Sequence, residues 1–219
     1  CVSAINSGIT VALRKGFSAT EFWDCVERYR ATFFSAVPAV YNILLLTKQN
    51  AEGKDLSSLK FGVCGAAPMP VETFKKFEET FGVKIIEGYG LTEGTVASTM
   101  NPRQGPRKIG SIGKPLPEQD VRIFDDDDNE MPTGEIGEIV IKGDNVMVEY
   151  LRKPEETAET LRGGWLHTGD IGYVDEDGFI FIVDRKKEMI IRGGENIYPK
   201  EIENALFEHP KVADAAVIG

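Results

Sequence analysis

Through the first hundred residues the apolar positions alternate between two periods. Short runs rich in β-branched and aromatic residues at 10–13, 32–36, 59–63 and 84–86 predict strands, and the segments between them repeat apolar residues at helical spacing. Ser18-Ala19-Thr20-Glu21 has the form of a capping box, with Phe22, Val26 and Tyr29 following on one helical face. Pro38 opens a second helix running to Leu46, since a proline in the first turn lacks only an N–H that would go unpaired. Pro70 opens a third helix, in which Phe74, Phe77 and Phe81 make one apolar stripe. Strand and helix repeating in this order predict an α/β fold with a mostly parallel sheet and flanking helices.

Past about Asn101 the pattern changes. Gly and Pro punctuate short extended segments at 121–124, 138–141, 172–174 and 179–183, with turn signals at 125–129, 132–134 and 175–178. They predict a small antiparallel β-subdomain, drawn as a distorted barrel. A third unit begins near Asp184. Pro199 opens a helix with Ile202, Ala205 and Leu206 on one face, and 212–218 has the pattern of a strand. One helix and one strand cannot bury their own apolar faces, so this is expected to be the start of an α+β C-terminal domain. The expected organisation is 1–104 and 105–184 as two subdomains of one large domain, then 185–219 as an incomplete small one.

Composition is that of an ordinary globular chain, 42% apolar and 27% charged. The formal charge of −10 changes the picture more. Such a surface repels nucleic acid and anionic lipid, and it requires a local positive site for any anionic ligand. Cys1, Cys25 and Cys64 have no metal-site or disulfide spacing, which fits a reducing, cytoplasmic setting. No apolar run approaches the roughly 20 residues of a membrane helix, so any membrane association is expected to be peripheral.

Five stretches could carry chemistry. Gly65, Ala66 and Ala67 follow a strand, where small residues leave room for a ligand or simply make a tight turn. Glu87, Gly88, Tyr89, Gly90, Leu91, Thr92 and Glu93 also follow a strand. They set a flat ring, a hydroxyl and a hard carboxylate oxygen suited to Mg²⁺ side by side, or form a glycine-bearing loop with a solvated Glu. Asp170, in Trp165-Leu166-His167-Thr168-Gly169-Asp170, could accept from two ribose hydroxyls or cap a turn. His167 has no evident partner for general-base work and is taken as structural. Arg185, in Asp184-Arg185-Lys186-Lys187-Glu188, could offer a planar positive fork to ribose or phosphate, or belong to a solvated charge run. Gly193 and Gly194 precede Glu195-Asn196 as a ligand-approach site or a hairpin turn.

The order of these five motifs resembles the adenylate-forming superfamily, which contains acyl- and aryl-CoA synthetases, luciferases and peptide-synthetase adenylation domains. The likeness runs over essentially the whole chain. The stretches 165–170 and 184–203 look most like the fatty-acyl and aryl-acyl CoA synthetase branch. The resemblance implies that Tyr89 stacks on adenine, with Gly65, Ala66, Ala67, Glu87, Gly88 and Gly90 shaping its slot. It implies Thr92 at the α-phosphate, Glu93 at Mg²⁺, and Asp170 and Arg185 at the ribose. Thr92, Glu93 and Arg185 would serve catalysis. Lys187 would be a hinge, Gly193 and Gly194 would border the coenzyme A path, and Phe34, Val37, Gly90 and Val96 would line an acyl pocket.

The implied substrates are a small carboxylic acid, ATP and coenzyme A, and a homodimer is compatible. Amino-acid adenylation, a luciferase-like reaction and a non-catalytic nucleotide-binding module are the alternatives. The family's phosphate loop and catalytic lysine are expected outside these residues, so the chain reads as a truncated portion. The 219 residues alone are expected to catalyse little or no adenylation. Acid-dependent ATP–pyrophosphate exchange at a rate typical of the family would refute this.

Overall fold

The structure, a computed structural model, describes residues 6–192, 195–207, 209, 212 and 215–218. Strands β1 (Phe33–Ala36), β2 (Phe61–Cys64) and β3 (Lys84–Tyr89) pair in parallel. Strands β4 (Thr99–Met100) and β5 (Lys114–Pro115) extend that sheet in antiparallel fashion. Helices α1 (Phe22–Arg28), α2 (Pro38–Leu46) and α3 (Val71–Phe81) complete the layer. Their shared core is aromatic. Trp23, Tyr41 and Phe77 are fully buried, Tyr41 and Phe77 meet edge-on with centroids 4.9 Å apart, and Trp23 lies 4.6 Å from Phe81. The expected phenylalanine stripe of α3 therefore packs as its spacing predicts.

The second sheet is an antiparallel meander of β6 (Asp120–Phe124), β7 (Gly137–Lys142), β8 (Leu166–Val174) and β9 (Ile180–Arg185). This is the form the expected distorted barrel takes: among the described residues its outer strands, β6 and β9, are not bonded to each other. Helix α4 (Pro154–Thr160) precedes β8. It has no buried residue and so no periodic apolar signal; its marks are Pro in the first turn and Glu155 and Glu156 at the dipole's positive end. A hairpin of β10 (Ile190–Arg192) and β11 (Glu195–Ile197) leads to helix α5 (Pro199–Phe207), whose start at Pro199 agrees with the sequence.

Four local expectations fail. Residues 10–13 form no strand and are exposed, because among the described residues no neighbouring strand supplies a ladder. The 18–21 box does not cap α1. Glu21 already has helical angles and no side-chain cap bond, and Ser18 Oγ lies 3.0 Å from Thr20 Oγ1 instead. Trp23 rather than Tyr29 takes the buried face, since the helix ends before Tyr29, which is half exposed. The described part of 212–218 carries no strand either; Val217 donates its N–H to Glu203 Oε1 at 2.9 Å.

The two sheets join at 112–113. The Ile112 N–H donates to the Ile180 carbonyl, and the Ile180 N–H to the Gly113 carbonyl, each at 2.9 Å. Gly113 has φ +90°, and a Cβ there would sit 2.0 Å from the Met100 carbonyl carbon. Gly113→Ala is expected to cost about 3 kcal/mol or more, measured by urea unfolding. Gly134→Ala has a similar φ of +89° but open space around the Cβ, and is expected to cost about 1 kcal/mol. Equal losses at the two positions would show that the close approach at the junction does not matter.

Candidate active site

Neighbouring parallel strands β2 and β3 end side by side, and their following loops open a cleft of about 2010 Å³. The carboxyl ends of parallel strands are where open α/β sheets take ligands, because side chains and backbone N–H groups converge there without a covering helix. Ala66, Ala67, Glu87, Gly88, Tyr89 and Gly90 line it from this sheet. Gly65 brings the two loops together: a Cβ on it would stand 3.1 Å from the Gly88 carbonyl oxygen.

The second sheet supplies the facing wall. Tyr89 donates its hydroxyl proton to Asp170 Oδ2 at 2.5 Å. Arg185, paired with Asp170 in the β8–β9 ladder, holds Nε 3.6 Å from Asp170 Oδ1. Burial pushes the Asp170 carboxyl above its ordinary value, while Tyr89, Arg185 and Lys200 pull the other way. Burial, and then the Asp170 charge, raise the Tyr89 hydroxyl far above its usual value, so Tyr89 stays a donor.

Beneath them lies a carboxylate floor. Glu87 is 5% exposed, and its Oε2 has no hydrogen-bond partner among the described residues. Burial raises its pKa from 4.5 to about 7 against a bond from the Met69 N–H and the nearby Lys200 charge. Lys200, in the first turn of α5, also lines the cleft and rests Nζ on the Ile182 carbonyl at 3.2 Å. Buried Asp184 ties the end of β9 to the start of α5: it accepts from the Arg185 N–H at 2.7 Å and the Lys200 N–H at 3.0 Å.

Thr92 and Glu93 lie just past the cleft, in a single 3-10 turn, Thr92–Gly94. Glu93 Oε1 accepts from Tyr150 Oη at 2.7 Å, which leaves Oε2 for a cation. Among the described residues no three His, Cys, Asp or Glu side chains form a metal cage. A single hard carboxylate fits Mg²⁺, which takes one or two carboxylates and fills its octahedron with substrate phosphates and water.

The structure thus gathers Ala66, Ala67, Glu87, Gly88, Tyr89, Gly90, Asp170, Arg185 and Lys187 around one cleft. Of the four residues expected to line an acyl pocket, Gly90 is in the cleft lining and the others are not. Phe34 packs into the aromatic core, 5.1 Å from Phe22 and 5.4 Å from Tyr41, while Val37 is 43% and Val96 80% exposed. Gly193 and Gly194 lie outside the described residues. His167 is buried against Glu138, its Nδ1 3.3 Å from Oε2. Sequence reasoning missed Lys200 and Tyr150. The first sits inside a helix start and the second on an irregular segment, so neither interrupts a periodic pattern.

Fold and cleft together define an α/β protein whose candidate site is a cleft lined by a parallel sheet and an antiparallel one. The chain belongs to the AMP-binding enzyme family, which matches residues 1–151. It is 44% identical over 217 residues to a long-chain-fatty-acid–CoA ligase of Bacillus subtilis, covering 99% of this chain and 39% of that protein. It is 41% identical over 220 residues to a feruloyl-CoA synthase of Amycolatopsis, covering 100% of this chain and 44% of that one. The Bacillus subtilis O-succinylbenzoate coenzyme A synthetase, solved with ATP and magnesium, superposes with a TM-score of 0.88 at 33% identity, over 100% of this chain and 45% of that one. The chain spans about two fifths of the length of these curated relatives. Among the described residues, no helix is long and apolar enough to cross a membrane.

The buried floor has a pH signature. Glu87 binds its proton more tightly folded than unfolded, so its contribution to stability is complete below about pH 4.5 and is lost as pH rises through about 7. Glu87→Gln keeps an acceptor for the Met69 N–H and removes the ionisation. Its stability should match the wild type near pH 4 and exceed it by on the order of 3 kcal/mol at pH 8. A pH-independent difference in urea unfolding would contradict this.

Proposed function

We propose that the chain forms the adenosine-binding part of an AMP-forming carboxylate–CoA ligase. The observation that carries this reading is the Tyr89–Asp170–Arg185 group, assembled from two sheets at one cleft. A ring, a carboxylate and a guanidinium are the chemistry that adenine, a ribose diol and a phosphate demand. The family match and the relatives' named reactions support it.

In this reading Tyr89 stacks on adenine, and Gly65, Ala66, Ala67, Glu87, Gly88 and Gly90 shape the slot. Asp170 accepts from the ribose hydroxyls beside Arg185. Thr92 donates to the α-phosphate. Glu93 holds Mg²⁺, which when bound offsets phosphate charge as a Lewis acid. A substrate carboxylate oxygen attacks the α-phosphorus, and pyrophosphate leaves. The coenzyme A thiol then gives up its proton and attacks the acyl carbonyl, and AMP leaves with the bonding pair. The chain's own contribution is positioning and charge stabilisation. Lys187 is assigned to a hinge, Gly193 and Gly194 to the pantetheine path. The fatty-acid and feruloyl relatives favour an acid with an apolar body. A reducing compartment such as the cytoplasm suits the free thiols of Cys25 and Cys64.

Calorimetry with AMP tests the assignment. Asp170→Ala is expected to weaken AMP binding by about tenfold or more, since a charge-assisted hydrogen bond contributes roughly 1.5–3 kcal/mol. Wild-type chain should prefer AMP over 2′,3′-dideoxy-AMP, and Asp170→Ala should erase that preference. An undiminished preference in the variant would sink the ribose assignment.

A further inference from the structure

We propose that Glu138 is the positioning residue for Asp170, acting through the Gly169 peptide; this rests on the ribose role given to Asp170 above. The β7–β8 ladder has a gap. Glu138 pairs with Ile171, and Val140 with His167. Ile139 alone therefore opposes Thr168, Gly169 and Asp170. At a bulge of this size the regular backbone bonds from Asp170 to β7 are lost, and the ladder with β9, in which Asp170 pairs with Arg185, holds it from one side.

Side chains replace them. Glu138 Oε1 accepts from the Gly169 N–H at 2.9 Å, and Thr168 Oγ1 donates to the Ile139 carbonyl at 2.7 Å. The other side of the Gly169 residue is held as well, because its carbonyl accepts from the Lys186 N–H at 2.8 Å. Gly169 has φ +72°, a conformation a non-glycine residue rarely adopts. The residue before Asp170 is thus gripped at both its N–H and its carbonyl, and the N–H grip is a side chain.

Glu138 is itself fixed. It is 5% exposed, and three positive or ionisable groups from different segments surround its Oε2. His167 Nδ1 lies at 3.3 Å, Arg162 Nη2 at 3.4 Å and Lys186 Nζ at 3.5 Å. Arg162 and His167 also face Asp128, and Lys186 reaches Asp126 at 2.7 Å. Burial opposes ionisation of Glu138, yet the Gly169 N–H, His167 and Lys186 hold its carboxyl below the ordinary glutamate value. A buried carboxylate costs several kcal/mol to desolvate unless it is paired and hydrogen-bonded. Here that arrangement is applied one residue from Asp170, and no cleft-lining role falls on Glu138 itself.

The test is a double-mutant cycle on AMP affinity, measured by calorimetry with the chain. Glu138→Gln keeps an oxygen of the same reach but turns an amide N–H₂ toward the cations, and Glu138→Asp keeps the charge but withdraws the oxygen from Gly169. Each is expected to weaken AMP about tenfold and to shrink the preference for AMP over 2′,3′-dideoxy-AMP. Combined with Asp170→Ala, neither should add a further loss. Losses that multiply in the double variants, or an intact AMP preference in both single variants, would overturn the proposal. The preference ratio is read only from folded, binding protein, so a general loss of stability does not imitate the expected result. If Asp170→Ala alone leaves AMP binding unchanged, the ribose reading has failed first, and the cycle shows that separately.

Discussion

The hydrogen bond from Tyr89 to Asp170 joins residues 81 positions apart, at 2.5 Å. One comes from the carboxyl end of the parallel sheet and the other from the bulge of the meander. Within the cleft it ties one wall to the other; elsewhere the two sheets are joined by the backbone bridge near Gly113 and by ion pairs such as Lys108 with Asp175. Its strength comes from the same burial that makes it costly. Asp170's side chain is 15% exposed, and a desolvated carboxylate needs donors to stay ionised. Tyr89 supplies the donor and Arg185 a nearby positive charge. Tyr89 in turn keeps its proton, since burial and the adjacent charge hold it on, and so donates to Asp170. The contact therefore has one polarity: the Tyr89 hydroxyl donates to Asp170 Oδ2, and the Arg185 guanidinium stands as a nearby charge, Nε 3.6 Å from Oδ1.

The acidic balance of the chain makes this arrangement more telling. With a formal charge of −10, an anion meets repulsion over most of the surface. The cleft lining sets Lys75 and Lys76 from α3, Arg185 and Lys187 at the end of β9, and Lys200 from α5 among seven carboxylates, so an anion there depends on where the cations stand and not on an overall positive balance. Lys200 is lowered from its usual pKa by burial, against the pull of Glu87, Asp184, Asp170 and Glu203. Short-range placement of such charges outweighs the mean field, because the Debye length at physiological salt is only about 8 Å.

Much of this was legible in the sequence. The phenylalanine stripe of α3 and the proline starts of α2 and α5 could be read because each depends on neighbours within one or two turns. The residues following β2 and β3 could be placed at one crevice because parallel topology brings strand ends together whatever the side chains. Other features depend on distant partners. Residues 10–13 have strand composition but no ladder among the described residues. Phe34 alternates as a strand residue should, yet the aromatic core claims it instead of the cleft. Glu138 carries no local signal: it is a charge in a strand of isoleucine and valine, and only the gap in the opposite strand gives it a partner.

The loop after Tyr89 shows how such a site holds its shape. Thr95 and Val96 both have positive φ, +54° and +80°. For β-branched residues that conformation costs of order 1–3 kcal/mol each, so the surroundings must over-determine it. They do. Thr95 Oγ1 donates to the Asn145 carbonyl at 2.6 Å, and Asn145 Nδ2 to the Gly94 carbonyl at 2.7 Å. The Met147 N–H donates to the Glu93 carbonyl at 2.7 Å. Gly90 completes the closure, since a Cβ there would stand 2.1 Å from the Val96 oxygen. The turn bearing Thr92 and Glu93 is thereby clamped at its C-terminal side to the Asn145–Met147 segment, while Gly90 and Val96 close the loop that carries it. A carboxylate held this way meets a cation with little left to reorganise, which is the condition under which fixed charges contribute most to a reaction.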